Sequence, residues 1–125
     1  MVLLPKVQKW RIFKSKANFI IHHRMQSDSL IIIPTYNEKE NISNIIHVVT
    51  NMPEHQFDVL VIDDNSPDGT AAIVEGIIAE MPGRVHLVKR AGKLGLGTAY
   101  IAGFKWALEH DYQYIIEMDL SLLPI

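Results

Sequence analysis

Four short apolar runs punctuate the chain, and the first three are each followed by a polar corner and a stretch with helical hydrophobic spacing. Residues 30–33 form a β-branched run ended by Pro34, which cannot donate to a sheet ladder and marks the strand's exit. Ile42, Ile45, Ile46 and Val49 then recur at helical intervals, and that helix stops near Asn51-Met52-Pro53. Val59, Leu60, Val61 and Ile62 are an unbroken apolar run, the pattern of a strand buried on both faces. Ile73, Val74, Ile77, Ile78 and Met81 mark a second helical face closed by Pro82-Gly83. Val85, Leu87 and Val88 give a third strand, and Ala99, Ala102, Gly103, Trp106 and Ala107 the inner face of a third helix. A fourth strand covers residues 114–118 and runs into Asp119.

Strand-helix alternation of this kind predicts parallel pairing, because parallel neighbours need long right-handed crossovers. The expected fold class is therefore α/β, a parallel, doubly wound, Rossmann-like sheet with helices on both faces. In such folds ligands bind beyond the carboxyl ends of the strands. Here that edge gathers residues 34–38, 63–68, 90–97 and Asp119. Residues 120–125 supply no further element, so an incomplete version of the fold is expected.

Residues 57–70, reading FDVLVIDDNSPDGT, lie at the centre of this plan. A buried strand ending in Asp63-Asp64 delivers two carboxylates to the binding edge. The sequence predicts that the next helix opens directly afterwards, with Ser66 as cap, Pro67 at its first position and Asp68 in its first turn.

Composition limits the alternatives. One domain is expected from 125 residues, and 48% hydrophobic with 21% charged residues supports a packed core and argues against disorder. Without cysteine there is no disulfide framework or thiolate metal site, and the redox compartment stays open. The net charge of −2 is unevenly divided: residues 1–24 carry +6 and no acid, and residues 25–125 carry −8. Two readings of residues 1–24 stand. Leu3, Leu4, Val7, Trp10, Ile12 and Phe13 interleaved with lysines can make a basic amphipathic surface for anionic lipid; alternatively the segment is an unstructured extension or a misassigned start, with the domain proper at residues 25–125. No small-residue cleavage site follows a continuous apolar core, which speaks against a signal peptide.

The stretches IPTYNEKENI, VIDDNSPDGT, GKLGLGTAYIAGFKWAL and EMD resemble, in order and spacing, the catalytic domain of the polyprenol-phosphate (dolichol-phosphate) mannosyltransferases, family 2 glycosyltransferases of GT-A fold. The resemblance covers residues 30–119. PTYNE and the DD.SPDGT pattern indicate the wider family, and KLGLGTAY narrows it to the polyprenol-phosphate branch. It implies transfer of mannose, with inversion, from GDP-mannose to a polyprenyl or dolichyl phosphate, with Mg²⁺ or Mn²⁺ as cofactor. Glucose-transferring relatives share the early motifs. It also implies a cytoplasmic protein, with peripheral contact at the cytoplasmic face of a membrane, and no nucleic-acid partner.

By the same resemblance Pro34, Tyr36, Glu38, Ile62 and Asp64 line the donor's guanosine pocket, and Asp119 is the metal-binding and catalytic carboxylate. Elementary chemistry suits these roles: a tyrosine ring packs on a base, and carboxylates accept from base N–H or ribose hydroxyl groups. The bland alternative is that Pro34 and Tyr36 shape a turn and the Asp pair caps a helix. The order Gly92-x-x-Gly95-x-Gly97 is neither a dinucleotide fingerprint nor a P-loop. Beside it, Lys93 and Arg90 are candidate phosphate ligands, with a solvated charge the plainer state for Arg90.

The sequence departs from the family at its end. Where relatives carry Asp-x-Asp, this chain reads Asp119-Leu120-Ser121-Leu122-Leu123-Pro124, one metal-binding carboxylate short. Besides a truncated and inactive transferase, two other classes fit: a non-enzymatic nucleotide-sugar binding module, and an acidic-pocket receiver-type domain. The receiver is disfavoured because the acidic pair follows the second strand of the repeat instead of the first.

Overall fold

The computed structural model describes the backbone of residues 10–14 and the whole of residues 27–120. Its elements run β1 (Trp10–Lys14), β2 (Ser29–Thr35), α1 (Ile42–Thr50), β3 (Asp58–Asp63), α2 (Thr70–Glu80), β4 (Val85–Lys89), α3 (Leu96–Glu109) and β5 (Tyr114–Met118). All four strands and three helices expected from the apolar pattern are present.

The sheet order is β1-β5-β2-β3-β4. β2 pairs parallel with both β3 and β5, and β3 pairs parallel with β4. The chain steps outward from β2 through β3 to β4, then α3 carries it back across the sheet to β5 on the other side of β2. The winding direction therefore reverses between β2 and β5, which is where doubly wound sheets open a crevice for ligand.

The reversal also sorts the core into two layers. Strand residues of odd number, such as Ile31, Ile33, Val59 and Val61, pack with α1 and α2 on one face. Leu30, Ile32, Leu60 and Ile62 pack with Ala99, Tyr100 and Ala107 of α3 on the other. Alternation of side chains along a strand divides them in this way. The α3 layer is close: a Cβ on Gly103 would stand 2.7 Å from Ile32 Cδ1 and 2.8 Å from Ile32 Cγ2.

Two expectations need correction. The apolar pattern has no strand before residue 30, yet Trp10–Lys14 runs antiparallel along β5, from Trp10 opposite Met118 to Lys14 opposite Tyr114. The parallel repeat leaves β5 with a row of unpaired backbone groups, and β1 satisfies them. The second correction concerns α2, which starts at Thr70 with Gly69 as its cap residue (φ +91°), beyond Ser66, Pro67 and Asp68. The reason is local competition: the Asp63 carboxylate takes both the Ser66 N–H (3.0 Å) and the Ser66 hydroxyl (2.6 Å), holding that stretch as a turn.

Residues 15–26, with Met25 among them, and residues 121–125, which carry Ser121, Leu122, Leu123 and Pro124, lie outside the described residues.

Candidate functional site

At the crevice between β2 and β5 an open cleft of about 240 Å³ is lined on one side by Pro34, Thr35, Tyr36 and Glu38, and on the others by Asp64, Lys93, Gly95, Leu96, Ala99 and Asp119. That is below the roughly 300–1,000 Å³ of pockets that enclose a drug-sized ligand. The described residues thus form a wall against which part of a larger ligand can lie.

The adjacent aspartates at the end of β3, Asp63 in the strand and Asp64 just after it, divide their labour. Alternation turns Asp63 inward, where it is 1% exposed and accepts from the Thr35 hydroxyl (2.7 Å) and from Ser66. It ties the end of β2 to the turn after β3. The Ser66 hydroxyl in turn accepts from the Asn37 N–H (2.9 Å), with Asn37 at φ +57°, a left-handed conformation that asparagine tolerates. Four residues on, the Thr70 hydroxyl donates to Asp68 (2.5 Å) and accepts from the Glu38 N–H (3.1 Å). The loop carrying Tyr36 and Glu38 is therefore clamped to the start of α2 along its length. The sequence reading cast the 66–68 stretch as helix cap; its larger work is to shape this loop.

Asp64 faces the cleft. Its Oδ1 accepts from Arg90 Nε (2.6 Å), and its Oδ2 accepts from Arg90 Nη2 (2.8 Å) and the Leu94 N–H (3.3 Å). The Asp64 hydrogen bonds, against some desolvation, hold the Arg90 guanidinium above its ordinary pKa. Arg90 also donates to Thr98 Oγ1 (3.0 Å) and to the Gly95 carbonyl (3.2 Å). The plainer expectation of Arg90 as a solvated charge is corrected by this geometry: the side chain is 11% exposed and its Nε and Nη2 are engaged by Asp64.

The glycine stretch becomes a folded strap. Gly95, at φ +102° and ψ 151°, occupies a region open to glycine alone and turns the chain into α3. Lys93 reaches back over the Tyr36 ring, with Nζ 4.8 Å from the ring centroid. Tyr36 is 40% exposed, so one ring face meets Lys93 at the mouth of the cleft.

Glu38 enters the cleft because α1 starts on it: its carbonyl accepts from the Asn41 and Ile42 N–H groups (3.0 and 2.9 Å). Burial pushes its carboxyl above the ordinary range; the Asn41 amide offsets this in part, and the charges of Asp119 and Asp68 push further upward. Glu38 and Asp119 thus feel each other across the cleft. Ile62, by contrast, is wholly buried in the α3-side core beneath the site. Thr35, Gly95, Leu96 and Ala99 also line the cleft. The sequence reading put Thr35, Gly95 and Leu96 on the binding edge without a role of their own, and Ala99 on the inner face of the third helix.

Whether the donor set suits a divalent ion can be judged from its carboxylates. Among the described residues no three His, Cys, Asp or Glu side chains come close enough to share a metal. One or two carboxylates suffice for Mg²⁺ or Mn²⁺ when substrate phosphates and water supply the rest, so Asp119 fits as one member of a site shared with a diphosphate. Among the described residues no helix is long and apolar enough to cross a membrane.

A doubly wound sheet with a cleft at its switch point defines the class, an open α/β domain whose ligand site lies beyond the carboxyl ends of its strands. The family model for glycosyl transferase family 2 matches residues 30–121, and the chain belongs to that family. It is 47% identical over 91 residues to the polyprenol monophosphomannose synthase of Mycolicibacterium smegmatis, covering 73% of this chain and 34% of that protein. It is 50% identical over 91 residues to the undecaprenyl-phosphate mannosyltransferase of Micrococcus luteus, covering 72% of this chain and 36% of that one. The chain thus spans about a third of the length of these curated relatives. Among solved structures it resembles the mannosyltransferase PcManGT from Pyrobaculum calidifontis in complex with GDP-Man and Mn²⁺, with a TM-score of 0.55 and 26% identity over 66% of this chain and 25% of that one.

Proposed function

We propose that this chain is the donor-binding part of a polyprenol-phosphate mannosyltransferase, taking GDP-mannose as donor and a polyprenyl (dolichyl-type) phosphate as acceptor. The observation that carries the reading is the convergence of Tyr36, Glu38, Asp64 and Asp119 on one cleft at the switch point of a family 2 domain. In this reading Tyr36 packs against the base, Glu38 and Asp64 accept from the nucleoside with Pro34 shaping the turn, and Asp119 faces the diphosphate. The Asp64 side chain is already oriented for this by Arg90. Ile62, wholly buried and outside the cleft lining, supports the strand end from the core below.

In the transfer, an acceptor phosphate oxygen bonds to the anomeric carbon as the bond from that carbon to the GDP oxygen breaks, inverting the centre. The acceptor is already anionic near neutral pH, so the protein's part is to position the two reactants and keep water out. Asp119 is the residue that would hold Mg²⁺ or Mn²⁺, whose chemistry is to neutralise charge on the departing diphosphate. Peripheral contact with the cytoplasmic face of a membrane belongs to the same proposal, supported by the +6 charge of residues 1–24.

Calorimetric titration with GDP-mannose tests the reading. Binding that strengthens with Mn²⁺ and is weakened by Asp119→Asn is expected; absence of binding with and without metal would overturn it. The partial carboxylate set favours a second reading, a nucleotide-sugar binding module without transfer activity. Radiolabelled mannose transfer to a polyprenyl phosphate by the same chain separates the two.

A further inference from the structure

Lys93 is the cation among the residues lining a cleft that also holds the acids Glu38, Asp64 and Asp119. Its ammonium stands 4.8 Å from the centroid of Tyr36, over the ring. The backbone beside it is pinned: the Leu94 N–H donates to Asp64, the Leu94 carbonyl accepts from the Thr98 hydroxyl (2.9 Å), and Gly95 is held by Arg90. The exposed Lys93 side chain, long and flexible, extends from this anchored strap.

A base and an ammonium cannot occupy one face of Tyr36 together. We propose that Lys93 is a two-station residue: it covers the Tyr36 face until a nucleoside base displaces it, and the displaced ammonium then moves onto the ligand's diphosphate. The inference rests on the donor-site reading above and assigns Lys93 a coupling role within it. Base docking releases the cation, and phosphate docking captures it, so a nucleoside diphosphate gains affinity that a bare nucleoside does not. Asp64 and Arg90 act as positioning residues, since they fix the strap from which Lys93 reaches both stations.

The coupling predicts opposite signs for two ligands. A cation over an exposed ring is stabilised by about 0.5–1 kcal/mol, so freeing the face in Lys93→Met should tighten guanosine binding about two- to fivefold. The same variant should weaken GDP binding about tenfold by removing a charged phosphate contact. In Tyr36→Leu the first station is gone, so adding Lys93→Met should leave guanosine affinity unchanged and still weaken GDP. Proton resonances of the Lys93 ε-methylene report the move directly: the Tyr36 ring shifts them upfield in the free protein, and saturating guanosine should abolish that shift.

Lys93→Met leaving guanosine binding unchanged or weaker, or an ε-methylene shift that persists at saturation, would overturn the coupling. Failure of the wild-type chain to bind either guanosine or GDP would overturn the donor-site reading itself, a separate outcome.

Discussion

Arg90 meets Asp64 as a two-pronged pair, Nε to Oδ1 at 2.6 Å and Nη2 to Oδ2 at 2.8 Å, with both side chains about nine-tenths buried. Asp64 directly follows β3, and Arg90 begins the strap that leads to α3. The pair joins the acidic corner to the glycine stretch, and the strap's shape follows from it.

Replacing the fork by a point charge should therefore loosen the strap. Arg90→Lys keeps the sign but loses the bidentate geometry and the bonds to Thr98 and Gly95. GDP affinity should fall severalfold and amide exchange over residues 91–95 should rise, with the core unaffected. Arg90→Ala, which leaves Asp64 buried without its cation, should cost more, about 3–5 kcal/mol of stability by chemical denaturation. Unchanged exchange in Arg90→Lys would show that the strap holds without the fork.

Gly103 and Gly76 offer a matched pair. An added Cβ at Gly103 runs into Ile32 at 2.7 Å, in a fully buried layer. Overpacking of that kind costs about 1–3 kcal/mol and outweighs the gain in helix propensity of about 1 kcal/mol. Gly76, mid-helix in α2 and exposed, meets nothing within 4 Å. Gly76→Ala should raise the melting temperature, and Gly103→Ala should lower it.

At the opposite end of the sheet, Asp58 is wholly buried and accepts from Tyr112 Oη (2.6 Å), Arg84 Nε (3.2 Å) and the Ser27 N–H (3.2 Å). Arg84 extends the network to the carbonyls of Thr50 and Phe57. Asp58→Ala should destabilise by about 3–5 kcal/mol, as loss of one partner of a buried ion pair does. Tyr112→Phe removes one hydrogen bond to a charged group and should cost about 1.5–3 kcal/mol. Urea denaturation measures both, and neither should alter GDP affinity in the fraction that remains folded.

Glu38 supplies a pH signature. Its folded pKa is raised above 4.5, chiefly by burial. The fold therefore holds this proton more tightly than the unfolded chain, and Glu38's own contribution makes stability fall as pH rises from 4.5 through the folded pKa. Binding runs the other way, because the ionised carboxylate is the stronger acceptor for nucleoside N–H groups. Guanosine affinity should decline as pH falls through a midpoint above 4.5, and Glu38→Gln should flatten that decline. Guanosine has no phosphate to titrate, which isolates the protein group.

Much of this architecture was legible in the apolar pattern. Strands buried on both faces read as unbroken apolar runs and one-sided helices repeat at 3.6, so strands at residues 30–33 and 59–62 and the buried set Ile42, Ile45, Ile46 and Val49 could be read directly. Local chemistry of caps and turns was less legible, since Ser66 and Asp68 have two good partners each. The choice Ser66 makes is itself local, with Asp63 three residues away outcompeting the helix start for it.

The sequence by itself determined the class of fold, the polar edge and the residues available there, because burial periodicity is a local property of the chain. Pairing was decided by the tertiary structure. β1 joins β5 across about a hundred residues of sequence, Arg90 reaches Asp64 across 26, and Lys93 comes to rest on Tyr36. The first is selected by an open sheet edge, the second by the cost of a buried unpaired carboxylate, and the third by where the strap between them ends. No periodicity in the sequence encodes distances of that kind.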